Sequence, residues 1–176
     1  DRLADISNFI NGFIRENRVS APDIYIGIPG ECSIVREIEF PLAVKENLRA
    51  TLEYEIEKYI PMSAEDIYFD FSIISEDKAE EKIKLRLVAV KKETFEYYIQ
   101  IAELLDMGAS GVEIVPAAIS NYYLYHHDIS EEPVVLIYSW DKGYDIMIIK
   151  HRALLYTKSF VLSGPDEEKG SLISDQ

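Results

Sequence analysis

Cysteine is almost missing from this sequence: Cys32 stands alone among 176 residues. An intrachain disulfide and a cysteine metal cluster are therefore excluded, and the usage fits a reducing compartment. Histidine is nearly as scarce, with His126, His127 and His151 only. No apolar run reaches the length of a membrane-crossing helix, and no signal peptide is visible. Cations are outnumbered, with 18 Lys and Arg against 32 Asp and Glu, for a net charge of −14. That balance argues against general nucleic-acid binding, which depends on Lys and Arg neutralising phosphates, and against an anionic membrane surface. What the chain has is apolar content, 48%, enough to bury a core as one compact domain or two small ones. It begins at Asp1 without an initiator methionine and stops at Gln176 in mid-pattern. It therefore reads as an excerpt of a longer protein, with any membrane anchor expected outside it.

The stretch PLAVKENLRATLEYEIEKYIPMSAEDIYFDF, residues 41–71, is the most informative. Val44, Leu48, Leu52, Ile56, Tyr59 and Ile60 recur at three- and four-residue spacing, which predicts a helix with one apolar face. Glu53 and Glu57 lie four apart on the polar face and repel slightly, so packing must hold the helix. Pro61 ends it, because it restricts Ile60 and lacks a backbone donor. Beyond it, Ile67, Phe69, Phe71 and Ile73 alternate with Tyr68, Asp70 and Ser72, the period of a half-buried strand.

Elsewhere the pattern predicts a helix over residues 3–16, then a strand over 24–28 that is apolar at both parities, as if covered on both faces. Pro29-Gly30 breaks it. A strand over 33–40 is expected to carry Ile34, Ile38 and Phe40 on one face, with Arg36 as the exception. Residues 75–82 read as a solvated hairpin loop. The strand over 83–90 puts Ile83, Leu85, Leu87 and Ala89 on one side, with Lys84, Arg86, Val88 and Val90 on the other. A helix over 93–107 follows, with Gly108 as its expected C-cap. The result is a β-α-β-β-α unit whose two helices are expected on one sheet face. A short strand over 112–115, a helix over 116–125, and three strands over 134–140, 144–150 and 153–162 complete the reading. Residues 163–176 are polar and read as a mobile end.

Catalytic chemistry finds little support. His126 and His127 are adjacent on a predicted helix, where side chains diverge by about a hundred degrees, so they do not converge on one ion. Asp66 and Asp70 read as strand neighbours sharing a face, Glu53 and Glu57 as a solvated face. Cys32 has no histidine placed to activate it. No catalytic residue and no metal site are expected. The twelve tyrosines suit either a half-buried core or an interface.

The 41–71 block resembles a motif of the actin-like PilM proteins of type IV pilus assembly and the related GspL proteins of type II secretion: an acidic helix ending in E-x-YIP, then a strand close to D-x-x-x-DF. IYIGIPG, residues 24–30, looks like the strand and turn preceding the inserted subdomain, called 1C, of FtsA-like actin relatives. VAVKKETFEYYIQIAELLDMGASGVEIVPAAISNYYLY, residues 88–125, is similar to the segment leaving that insert, and VVLIYSWDKGYDIMIIKHRALLYTKSF to the first strands of the second actin-like half. The resemblance implies an α+β fragment of an actin-like, ribonuclease H-like fold. Residues 1–31 and 109–131 would belong to subdomain 1A, residues 32–108 to the insert, and residues 132–176 to subdomain 2A.

In ATP-binding members an Asp-x-Gly phosphate loop follows the apolar strand of the second half. Matching VVLI to that strand puts Tyr138 at the Asp and Trp140 at the glycine, which would fill the space a phosphate needs. A second register, using Asp141 and Gly143, restores Asp-x-Gly but lengthens the strand. No cofactor is expected in this stretch; ATP-Mg would belong to the full-length protein. The resemblance implies a non-catalytic scaffold at the cytoplasmic face of the bacterial inner membrane. Its partners would be the tail of a bitopic membrane protein, the hexameric assembly ATPase, or a second copy in a homodimer. The alternative is a PilM- or FtsA-like ATP-binding protein or ATPase with nucleotide-dependent assembly. If the helices of the insert cover one sheet face, Tyr68, Val88 and Val90 lie on the other. Apolar residues there must meet a neighbouring subdomain or a partner peptide.

Overall fold

The computed structural model describes residues 2–20, 23–105, 107–128 and 132–162. Helix α1 (Arg2–Glu16) leads to strand β1 (Asp23–Ile28), which pairs in parallel with β5 (Gly108–Ile114). Between these two strands the chain builds a separate antiparallel sheet from β2 (Ser33–Pro41), β3 (Ile67–Asp77) and β4 (Lys82–Lys91), ordered β2-β4-β3. Helix α2 (Leu48–Glu55) lies between β2 and β3, and helix α3 (Lys92–Leu104) follows β4. After β5, helix α4 (Val115–His126) runs to a third sheet of consecutive strands, β6 (Val134–Trp140), β7 (Gly143–Lys150) and β8 (Ala153–Val161). A β-α-β-β-α lobe forms apart from the last three strands because the alternation along β3 and β4 turns one side of each strand into the lobe's core.

The lobe's core forms where the apolar sides of sheet and helix meet. Leu52, Ile56 and Ile60 from the helical segment, and Ile83, Leu85, Leu87 and Ala89 from β4, are all fully buried. Ile38 and Phe40 of β2 and Ile67 of β3 complete it. The E-x-YIP motif is part of this packing. Tyr59 meets the Phe40 ring edge-on at 5.8 Å, and Glu57 Oε1 accepts the Ala64 amide at 3.0 Å. Glu57 is exposed, as the sequence suggests, and also holds the connection to β3.

The helix predicted across the block is broken into three pieces. A 3-10 segment, Leu42–Asn47, precedes α2, and a 3-10 turn, Ile56–Lys58, follows it. The first piece is tied to the far end of the β3–β4 hairpin: the Leu42 amide donates to Glu81 O at 2.7 Å, and Lys45 pairs with Glu76 at 2.6 Å. These ties hold the first turns apart from α2. Asp66 closes another 3-10 turn, Ala64–Asp66, instead of sharing a strand face with Asp70.

The two helices do not share a sheet face. Only α2 lies on the core side; α3 packs with α1, β1 and β5, and its Phe95 meets Tyr68 on the opposite side. The cause is connectivity, because α3 starts one residue after β4 ends, and the chain direction carries it off the sheet toward β1 and β5. Gly108 is not a C-cap but the first residue of β5. The Leu105 amide bonds back to Ile101 and Ala102 carbonyls, so the end of α3 needs no left-handed glycine. Nor is β1 covered on both faces: Ile28 is buried, while Tyr25 is 83% exposed. Residues 163–176, read as a mobile end, lie outside the described residues.

In the third sheet, α4 covers one face, packing Ala117, Ile119, Tyr123 and Leu124 near Met147, Ile149 and Leu154. Pro116 suits the first turn of α4, where its missing donor costs nothing.

Candidate functional site

Tyr68, Val88 and Val90 line one cleft of about 970 Å³. Period-two geometry explains their meeting, since Tyr68 pairs with Val90 across the β3–β4 ladder and Asp70 with Val88. The opposite wall comes from Ile28, Ile114 of β5, Ala117 and Leu124 of α4, and Leu154 of β8. The cleft therefore runs between the lobe sheet and the rest of the chain. Every residue from 68 to 74 touches it, both sheet parities included. Strand β3 is at an edge of its sheet, so the cleft follows that edge as well as the face.

Tyr68 is fixed by three contacts. Its ring lies 4.8 Å from Phe95, Lys92 Nζ stands 5.5 Å from the ring centroid, and its hydroxyl donates to Glu96 at 3.4 Å. The residue nevertheless stays 43% exposed. Asp70 is taken by Arg49 at 2.5 Å, and Arg49 also lies over Phe69 and Phe71, 5.7 Å from each ring. Arg86 joins the walls, donating to the Leu154 carbonyl and standing 3.8 Å from Glu37. Burial pushes the Arg86 guanidinium down from its ordinary value, against the pull of Glu37. On the facing wall, Asn121 donates to Glu113 Oε1 at 2.9 Å. Burial nevertheless raises the Glu113 carboxyl above the usual range, and the amide offsets this only in part. Sequence periodicity found the three apolar residues. It put Arg86 on the side of Val88 and Val90 but not its partners, which lie far along the chain, and it missed Glu113.

The other candidates lie elsewhere. Asp141 sits in the two-residue turn between β6 and β7, and Gly143 opens β7, paired with Trp140. A Cβ on Gly143 would meet the Phe160 carbonyl and Trp140 Cζ2, the latter at 2.7 Å. The chain's own packing thus leaves no room for a side chain at Gly143. His126 meets Tyr122 and Tyr125, while His127 stacks on Tyr123 at 4.4 Å, so the two imidazoles are held by different neighbours. Among the described residues, no group of three or more His, Cys, Asp or Glu is placed to hold a metal ion. Burial, with Glu31 adding to it, pushes the Cys32 thiol up, away from thiolate reactivity. No helix among the described residues is long and apolar enough to cross a membrane.

Comparison with solved structures identifies the fold. A PilM–PilN type IV pilus biogenesis complex aligns at TM-score 0.77 and 15% identity, covering 93% of this chain and 49% of that one. The cytoplasmic domain of EpsL, an inner-membrane component of the type II secretion system of Vibrio cholerae, aligns at TM-score 0.57 and 12% identity, covering 90% and 56%. The chain thus spans about half the length of the solved relatives it matches. The fold is the mixed α/β arrangement of the actin-like proteins. Among curated proteins, no sequence match was found. The family described as type IV pilus assembly protein PilM matches residues 1–158, nine-tenths of the sequence and both walls of the cleft. This chain belongs to the PilM family of type IV pilus assembly proteins.

Proposed function

We propose that this chain is the docking part of a non-catalytic assembly scaffold, and that its cleft takes the cytoplasmic tail of a bitopic inner-membrane protein. The observation that carries the reading is the side of the lobe sheet turned away from α2. Tyr68, Val88 and Val90 stand there, Tyr68 against α3, and they line a cleft instead of open surface. An extended segment fits such a place, because β3 offers a free strand edge beside apolar side chains. The cleft's volume lies in the range of specific binding sites. A solved relative is itself a complex of PilM with PilN, which supports a tail of that kind as the occupant.

On this reading the protein works at the cytoplasmic face of the inner membrane and reaches it through its partner. The likeness to EpsL supports a place in the same class of platform. A hexameric assembly ATPase is the other partner to be tried.

Hydrogen–deuterium exchange on the full-length protein tests the proposal, with a synthetic peptide of its PilN-type partner's tail as probe. Protection is expected over residues 68–74 and along β4. Binding with protection confined to α1 or to β6–β8 would contradict it.

A further inference from the structure

The cleft is apolar along most of its length, but four charged side chains line it: Asp70, Arg86, Glu113 and Arg152. Two are already engaged by the chain. Asp70 pairs with Arg49 at 2.5 Å, and Arg86 is committed to the Leu154 carbonyl and to Glu37. Arg152 is exposed in the β7–β8 turn, which leaves Glu113 as the free charge on the strand wall. Its one polar contact is the Asn121 amide, and among the described residues it forms no ion pair. Val112 and Ile114 also line the cleft, so this exposed carboxylate borders its apolar wall. An apolar segment laid over the carboxylate would strip its hydration, and one amide donor would restore only part of it. An arriving cation would supply charge-assisted hydrogen bonds that Asn121 cannot.

We propose that Glu113 is the specificity-determining residue of the cleft, receiving a cationic group, a lysine, an arginine or a terminal amine, from an otherwise apolar extended tail. The inference rests on the docking reading and names the chemistry of the occupant. Charge complementarity favours it twice. The chain carries −14, which draws a cationic segment in, and Glu113 gives that segment one register. An acidic or wholly apolar tail would leave Glu113 buried beside it without a counter-charge, which costs affinity. Asn121 acts as a positioning residue, since its amide ties the Glu113 carboxylate to α4.

The test is a double-mutant cycle on the full-length protein, read by isothermal titration calorimetry. The probes are the tail peptide of its PilN-type partner and versions with each cationic group neutralised in turn, arginine to citrulline, lysine to norleucine, amine to acetyl. Glu113→Gln should bind the native tail about tenfold more weakly, in line with the loss of a desolvated charge pair. One neutralised peptide should bind wild type and Glu113→Gln equally, which locates the partner of Glu113. Equal binding of the native tail by both proteins would overturn the proposal. So would a loss of the same size against every neutralised peptide, because that marks a structural effect of the substitution. Glu113→Asp, which keeps the charge, should retain more binding than Glu113→Gln; the reverse order would also overturn it. Failure of the docking reading looks different, since the native tail would then bind neither protein, or bind with no protection of residues 68–74.

Discussion

A methyl group on Gly30 would meet Asp145 Oδ1 at 2.7 Å and Pro116 Cγ at 2.9 Å, with the Ser159 hydroxyl nearer still. The sequence shows Gly30 only as a strand breaker; its necessity comes from β7, β8 and α4 closing on it. Gly30→Ala should therefore destabilise the protein by about 1–3 kcal/mol, the usual cost of overpacking, measured as a lower urea midpoint at constant slope. Asp145 beside it is 1% exposed and accepts the Ser159 hydroxyl. Burial raises its carboxyl above the ordinary value, and the hydrogen bond opposes this less strongly. The folded state then holds the proton more tightly than the unfolded chain. This contribution to stability is fully present below the ordinary value of about 3.9 and is lost as pH rises through the raised folded value. Asp145→Asn keeps an acceptor for Ser159 without the charge. Its stability relative to wild type should rise as pH climbs from about 3.9 through the raised folded value; a difference that does not change with pH would refute this. Neither residue's role is legible locally, whereas Tyr68, Val88 and Val90 are, because strand alternation alone puts them on one face.

Strands were the easiest elements to read, since each has one period and one buried side. The bounds of β6 match the apolar run from Val134 to Trp140. Helices were harder. The apolar spacing of residues 44–60 is real, yet ties from Leu42 and Lys45 to the β3–β4 hairpin break the helix. The side taken by α3 depends on a junction with β4 that carries no hydrophobic signal. The β7–β8 turn shows a further limit. His151 and Arg152 have φ of 49° and 59°, the left-handed geometry of a two-residue hairpin turn that favours Asn-Gly. Replacing the pair with Asn-Gly should stabilise the hairpin by about 1 kcal/mol or more, read as a higher thermal midpoint. An unchanged or lower midpoint would show that His151 and Arg152 hold the turn by their side chains.

At the scale of the whole molecule, three sheets share one chain without merging: β1-β5, β2-β4-β3 and β6-β7-β8. The lobe buries one face against α2 and turns the other toward the body. That division follows from composition, because β4 carries its apolar set at both parities, Ile83 to Ala89 inside and Val88 and Val90 outside. Arg86 then crosses the gap to Leu154 and helps to set the cleft's width. The family was legible from the E-x-YIP and DF residues because they are core and connection, which a fold cannot vary freely. The cleft's charges were not, because β5 and α4 supply Glu113 and Asn121 long after β3 and β4 supply the apolar wall. The most direct test of docking in this cleft is the affinity of the full-length double variant Tyr68→Ala/Val88→Lys for the partner tail, beside wild type. Losing two apolar contacts and adding a charge should weaken binding at least tenfold, about 1.4 kcal/mol, while circular dichroism and thermal midpoint stay near wild type. Unchanged affinity in a folded double variant would contradict the account.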